Sequence, residues 1–372
     1  MIGINLTKKG RCYVDVGAIV IVEAPSRTDE SPSPSSVAGS TIPGPFAEGM
    51  LPFIELLGRS LVEHTIDHLR TAGVTVTSLI VPPDLATSIP NFRSPLGNVN
   101  VRVTDDAWSA VVQILESYWK IGCDCALVAK PTAYIEADLT DLLDFHRQGE
   151  RTVTRASDRE GPLDLWVINC DPAAEADGGS LIAALLHPDF FPASYFVREY
   201  VRRISHPRDF RQLATDVFLG RCHLHLIGEQ IRPGVWADRG VEIRRGARIV
   251  GPAFLGRQCT IGERVVITRF SNVECDSHID YGTVIENSSI LPNTYVGIWL
   301  DVRHSVVHGN KLLNLERDVL IEVSDDRLLR SNLAARPTPR VSAPKRAYGT
   351  SQPQERLVDS IRSVNRRTEF ES

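Results

Sequence analysis

Two hydrophobic periods divide the chain. In the first part, short β-branched runs alternate with amphipathic stretches. Residues 18–22 predict a strand, residues 60–72 (SLVEHTIDHLRTA) a helix that stops at Gly73, a natural C-cap, and residues 74–81 the next strand. Residues 99–103 predict another strand and residues 105–120 an amphipathic helix with acidic residues in its first turn, where the helix dipole favours them. A buried strand over 126–129 and a helix over 139–147 follow. Strands alternating with helices predict a parallel sheet covered on both faces, and such sheets take their ligands beyond the C-terminal strand ends.

Beyond about residue 227 the period becomes six. Apolar residues recur at Ile231, Ala237, Ile243, Ile249, Leu255, Ile261, Ile267, Val273, Ile279, Ile285 and Leu291 without a break in register, and the residue four further on is nearly always small or β-branched. Neither a helix nor a flat strand produces this spacing; a parallel β-helix does, with the first residue of each hexad pointing inward and the fifth at a tight corner. The pattern resembles the left-handed hexapeptide-repeat helix, with about three to four coils. On this reading the phase is lost after Gly297, residues 301–333 cap the end of the solenoid, and residues 334–372, where eight basic residues face four acidic ones, form a disordered basic tail.

Composition narrows the function classes. The 372 residues accommodate two domains and a tail; 42% hydrophobic and 23% charged residues describe an ordinary globular protein, and a net charge of −5 argues against a nucleic-acid partner. No apolar run reaches the ~20 residues that span a bilayer. Lys8-Lys9 followed by an apolar run imitates a signal peptide, but Asp15 and Glu23 interrupt it, so we read a first strand. Seven cysteines without CxxC spacing predict buried, reduced thiols and a cytoplasmic protein; alternation would point Cys123 and Cys125 to one face.

Two segments carry a resemblance. Residues 57–64 (LGRSLVEH) with the following TIDHLRTAGV resemble the L-G-K-P-L-[IL]-E-H segment of nucleotide-sugar pyrophosphorylases (sugar-1-phosphate nucleotidyltransferases), and residues 138–147 (DLTDLLDFHR) resemble their D-L-x-x-L-L-x-F-H-x segment. The resemblance implies an α/β fold: a Rossmann-like nucleotidyltransferase domain over 1–226, followed by a left-handed parallel β-helix over 227–300. It also implies nucleotide-sugar or polysaccharide metabolism, with a nucleotide or sugar phosphate as ligand. Transfer of a nucleotidyl group needs backbone N–H groups around the triphosphate, a cation on the phosphates and carboxylates for Mg²⁺.

The three motifs that supply these groups in the family are altered here. The first strand ends in Glu23-Ala24-Pro25-Ser26-Arg27 in place of G-x-G-[ST]-R; proline lacks the donor N–H and alanine blocks close approach. Leu51 stands near the position of the phosphate-binding lysine. Val128-Ala129-Lys130-Pro131 replaces the step that ends in the metal-binding aspartate, which puts Pro131 where the carboxylate belongs. Losing one electrostatic donor alone costs ~10²–10³ in rate. The expectation is a divergent member without standard catalysis, acting as a binding, regulatory or scaffold subunit, with an active paralogue as a candidate partner, and self-associating through the β-helix. No catalytic residue and no metal ligand is assigned, no cofactor is required, and Mg²⁺ enters only if the protein is active.

Arg27, Lys130 and Asp238 are the candidate ligand-binding residues. Arg27 echoes the family's arginine. Asp238 stands in GVWADRG (residues 234–240), which resembles the family's G-x-W-x-D-x-G, although Ala237 and Asp238 also fit the hexad as its first and second positions. One rival is an active nucleotidyltransferase using these three residues. A second is a hexapeptide-repeat acyltransferase, in which a histidine acts as general base; His278, His304 and His308 are placed for it, with His308 and Asn310 the first candidates. His223 and His225 in CHLH would share a face of an edge strand; zinc would need a third ligand that nothing nearby supplies. The acidic pairs Asp105-Asp106 and Glu136/Asp138 read as helix caps.

Overall fold

The computed structural model describes residues 16–23, 52–86, 99–149, 151–171 and 193–332. Arg27, Leu51 and the basic tail lie outside the described residues.

The first part is built on a seven-stranded sheet. Its centre is the strand Val16–Ile21, buried along its whole length, with the parallel strands Val76–Val81 and Cys125–Ala129 on either side. Val99–Val103 extends the sheet beyond Val76–Val81. On the other flank Gly161–Asn169 runs antiparallel to both Cys125–Ala129 and Val153–Asp158, and Ala193–Phe196 pairs parallel to Val153–Asp158. The sheet is therefore mixed where the helix–strand alternation predicted a parallel one. The tight turn between Val153–Asp158 and Gly161–Asn169 is a hairpin, which can only join antiparallel strands.

Period-2 alternation of the central strand divides its side chains between two cores. Val16, Ala18 and Val20 pack with Val62, Ile66 and Leu69 of the helix Leu61–Thr71 and with Leu142 and Leu143 of the helix Leu139–Gln148. Ile19 and Ile21 pack with Val111, Ile114 and Leu115 of the helix Ala107–Ile121. Each such fully buried aliphatic side chain contributes about 1.5–3 kcal/mol. Gly17 is where the chain admits no side chain: a Cβ there would fall 2.3 Å from the Tyr118 ring. That ring crosses the strand to give its hydroxyl to the Ala18 carbonyl at 2.9 Å and to Ser78 at 2.8 Å.

Each of these helices begins at a cap. Ser60 and Glu63 form a capping box on Leu61–Thr71. Asp106 caps Ala107–Ile121, whose first turn holds no acidic residue, and Asp138 caps Leu139–Gln148. Cys123 and Cys125 do not share a face. The strand begins at Cys125, so Cys123 falls outside the alternation, and the two thiols enter opposite cores. All six described cysteines are buried.

From Val235 onward the chain visits three sheets in rotation. Val235–Ala237, Ala253–Leu255 and Ser271–Val273 pair parallel in one sheet; Glu242–Ile243, Thr260–Ile261 and His278–Ile279 in the second; Arg248–Ile249, Val266–Thr268 and Val284–Glu286 in the third. Partners stand one three-hexad turn apart, as Ala253 does from Val235 and Ser271 from Ala253. The hexad residues Ile249, Leu255, Ile261, Ile267, Val273, Ile279 and Ile285 form a continuous buried core.

The hexad is broken at both ends. Ile231 and Ile243 are exposed, Ile231 on a strand that pairs antiparallel to Val235–Ala237 ahead of the first turn. At the other end the register slips by one residue: Asn272 pairs with Ser289 and Val273 with Ile290. Ile290 therefore takes the inward place and Leu291 points outward into another cluster. The physical cause is a shortened corner. Arg269 and Phe270 both take positive φ (54° and 61°), whereas one turn later Asn287 alone does so at 47°. With the new phase the parallel pairing continues past Gly297, through Val302 and Val307. The hairpin Lys311–Asn314 with Val319–Glu322 then extends the first sheet, and Leu329–Ser331 closes the second antiparallel.

The corners are bonded between turns. Thr283 Oγ1 donates to the Gly297 carbonyl at 2.5 Å and accepts from Leu300 N at 3.0 Å, and Ser277 Oγ donates to the Leu291 carbonyl at 3.0 Å and accepts from Thr294 N at 3.2 Å. This explains the small hydroxyl residues at the fifth hexad position. Outward residues of the first repeat sheet, Phe254 and Val306, share a core with Ile54, Leu56 and Leu57 and with Phe210, Leu213 and Val217 of the helix Pro207–Phe218. The α/β region and the repeat thus belong to one compact unit.

Candidate functional site

The strand order reverses at Val16–Ile21, so the crevice beyond its C-terminal end and that of Cys125–Ala129 is where a ligand would be sought. Glu23 and Lys130 stand there, just past the two strands. Lys130 Nζ lies 2.5 Å from Glu23 Oε1, with the lysine side chain 16% exposed and the glutamate 47%. The ammonium also sits over two indoles, 5.2 Å from the Trp108 centroid and 6.0 Å from that of Trp166, and the two rings meet edge to face at 5.7 Å. Carboxylate and aromatic faces together hold the cation in place.

The neighbouring carboxylate is held as well. Asp164 accepts from Arg155 Nη2 at 3.1 Å and from Thr132 Oγ1 at 2.8 Å, and its carbonyl receives Lys130 N at 2.9 Å. With Glu23 paired to Lys130 and Asp164 to Arg155, both carboxylates at this edge are engaged by cations of the chain and do not fit a magnesium ion. Among the described residues no group of three or more His, Cys, Asp or Glu side chains is placed to hold a metal.

Four positions of the LGRSLVEH segment, Leu57, Gly58, Ser60 and Glu63, have a structural use. Leu57 and Gly58 form a two-residue turn with φ of 55° and 92° between the short strands Glu55–Leu56 and Arg59–Ser60. Their N–H groups donate to the two oxygens of Glu274 at 2.8 and 3.0 Å, and Asn272 Nδ2 adds a third bond at 2.6 Å. Glu274 is fully buried, and burial pushes its carboxyl up to about 8 against the pull of these donors. Ser60 and Glu63 are occupied in the capping box, with Ser60 N donating to Glu63 Oε2 at 2.7 Å.

Asp238 lies elsewhere. It lines an open cavity of about 500 Å³ at the first turn of the repeat with Glu229, Ile231, Arg239, Val241 and Ile243, while Lys130 lines a different one. Its Oδ1 accepts from Arg239 N at 2.7 Å, and its own N–H donates to the Leu255 carbonyl at 2.9 Å. Lys130 and Asp238 are thus not brought into one cavity.

His223 and His225 are exposed and alternate with the buried Cys222 and Leu224, in an irregular segment rather than an edge strand. His223 Nδ1 hydrogen-bonds Glu136 Oε2 at 2.9 Å. His308 ends the last parallel strand, Ser305–His308, and Asn310 lies in the turn to Lys311–Asn314; Asn310 O accepts from Val323 N at 2.8 Å, and burial pushes His308 down to about 4. His304 bonds Asn287 at 2.8 Å, and His278 stacks on Tyr295 with centroids 5.5 Å apart.

Three features had no signal in the sequence. Trp108 and Trp166 come from a helix and a strand that meet only in the fold. Glu274 occupies an outward repeat position that is polar in any solvated solenoid. Arg211 is buried without a carboxylate partner among the described residues, its guanidinium donating to the Phe270 carbonyl at 2.5 Å and to Asn287 Oδ1 at 2.9 Å, and burial lowers its pKa to about 10.

No protein-family model matches the chain, and no curated protein matches it.

Proposed function

We propose that the chain is a divergent relative of the sugar-1-phosphate nucleotidyltransferases, with a Rossmann-like domain and a left-handed β-helix, that has given up nucleotidyl transfer and acts as a binding, regulatory or scaffold subunit. The observation that carries this reading is the Glu23–Lys130 ion pair. A cation at the C-terminal edge of the central strands is neutralised by a carboxylate from the adjacent strand end and covered by two indoles, so it does not present free charge to a phosphate. Supporting it, the residues that resemble the family's motif hold the α/β region to the repeat through Glu274 and cap a helix. Self-association through the outward faces of the repeat belongs to the same proposal.

The test is pyrophosphate release in the presence of Mg²⁺, each NTP and a panel of sugar 1-phosphates. The expected result is no turnover above background. Sustained turnover that disappears in Lys130→Ala or Asp238→Ala overturns the reading. Thermal shift with the same compounds measures binding, since a ligand at 100 times its Kd adds about 2.7 kcal/mol.

A further inference from the structure

The sheets of the repeat are not covered alike. The first sets its outward residues Phe254 and Val306 against the α/β region. The third has Arg248 and Val250 exposed at one end and Asp301 and Arg303 at the other, with Val266 and Val284 half-buried between them.

One outward row of the third sheet reads Arg248, Val266, Val284 and Asp301, one residue per turn and in direct register. Two residues earlier in each turn stands a corner row, Gly246, Arg264, Gly282 and Trp299, all four at positive φ between 55° and 81°. Trp299 is out of character there. Its side chain is 66% exposed, the most exposed of the large apolar residues described, in a backbone conformation that a bulky residue adopts only with strain. The ring is held in place: a Cβ on Gly282 would fall 2.8 Å from it, and it meets Tyr281 edge to face at 5.4 Å. A fixed indole open to water is the kind of side chain that anchors an interface.

Both rows are complementary to themselves when reversed. Two copies laid face to face about a two-fold axis that runs along the strands bring the first turn of one against the fourth of the other, and the second against the third. Arg248 then meets the partner's Asp301, and Val266 the partner's Val284. Trp299 meets the partner's Gly246, where a Cβ would have only Arg264 within 4 Å. Arg264 meets the partner's Gly282, so in each corner contact a large side chain faces a residue without one. Arg248 has no ion pair among the described residues, and Asp301 holds Arg303 Nε through Oδ1 alone, at 2.7 Å. A two-fold axis along the repeat would instead oppose Arg248 to the partner's Val250 and Val284 to the partner's Glu286.

We propose that two copies of this chain pair through the third sheet of the repeat with their repeat axes antiparallel, Arg248 bonded to the partner's Asp301 and Trp299 seated over the partner's Gly246; this rests on the self-association proposed above and names its surface and symmetry. Four turns at about 4.8 Å give a face about 20 Å long. That is small beside the ~800 Å² per partner of a standard interface, so the dimer is expected to be weak and reversible.

The test is sedimentation equilibrium on the full chain between about 1 and about 300 μM. Expected is a monomer–dimer equilibrium without higher species. Arg248→Glu and Asp301→Arg should each weaken the dimer at least about tenfold, and the two together in one chain should restore it to within about threefold of wild type. Trp299→Asn should also weaken it at least about tenfold with the urea midpoint unchanged, since asparagine suits a left-handed corner. Should Asp301→Arg fail to fold, Arg248→Glu and Trp299→Asn still decide. A chain that stays monomeric throughout overturns both the face and the self-association beneath it. Association that neither Arg248→Glu nor Trp299→Asn weakens, or that proceeds to a trimer, overturns the face and leaves the self-association standing.

Discussion

Glu274 accepts the backbone N–H of Leu57 at 2.8 Å across 217 residues of chain. A hydrophobic docking surface tolerates sliding; a fully buried carboxylate fitted to two consecutive N–H groups of a left-handed turn does not. This bond sets how the hairpin Glu55–Ser60 sits on the repeat, and with it the start of the helix Leu61–Thr71.

Glu274→Ala should destabilise the protein by about 1–3 kcal/mol, because the donors of Leu57, Gly58 and Asn272 lose a buried acceptor. Urea unfolding midpoints of wild type and variant check this. Glu274→Gln should also be destabilised, since its amide nitrogen cannot accept one of the two turn N–H groups.

Stability should fall as pH rises from about 5 to 9. The Glu274 carboxyl moves from its ordinary 4.5 up to about 8 in the folded protein, so between these values the folded state holds a proton that the unfolded chain has released. That contribution is complete below 4.5 and is lost as pH passes 8. Burial raises Glu55, on the same hairpin, in the same direction. Urea midpoints across this range should show the slope, and Glu274→Gln should flatten it.

Glu23→Gln should expose what the ion pair conceals. With Glu23 47% exposed, its loss should change stability by less than about 1 kcal/mol. The freed Lys130 ammonium should bind pyrophosphate more tightly than in the wild type, measured by calorimetry, and Lys130→Ala in the same background should remove the gain.

Thr283→Val keeps the shape of a corner residue and deletes its hydroxyl. Leu300 N and the Gly297 carbonyl lose their buried partner, at a cost of about 1–3 kcal/mol by thermal or urea unfolding.

Much of the architecture was legible in residue spacing. The three-hexad recurrence follows from the inward residues Ile249 to Ile285, and the helix starts follow from Ser60, Asp106 and Asp138. The candidate site was only half legible. Lys130 does stand at a strand end facing the crevice, but nothing local in the sequence tells that Glu23 neutralises it and that Trp108 and Trp166 cover it. Asp238 was drawn in by a seven-residue resemblance, and the structure gives it a cavity of its own on the repeat.

The sequence by itself determined the elements, because period, capping and corner preferences are enforced within a few residues by sterics and nearby hydrogen bonds. Tertiary structure decided the antiparallel course of Gly161–Asn169 and the slip that buries Ile290 in place of Leu291. It also decided the separate cores of Cys123 and Cys125 and the two long-range charge contacts at Lys130 and Glu274. These depend on which distant groups share one low-dielectric space, and a buried charge takes whichever partner the packing brings within reach.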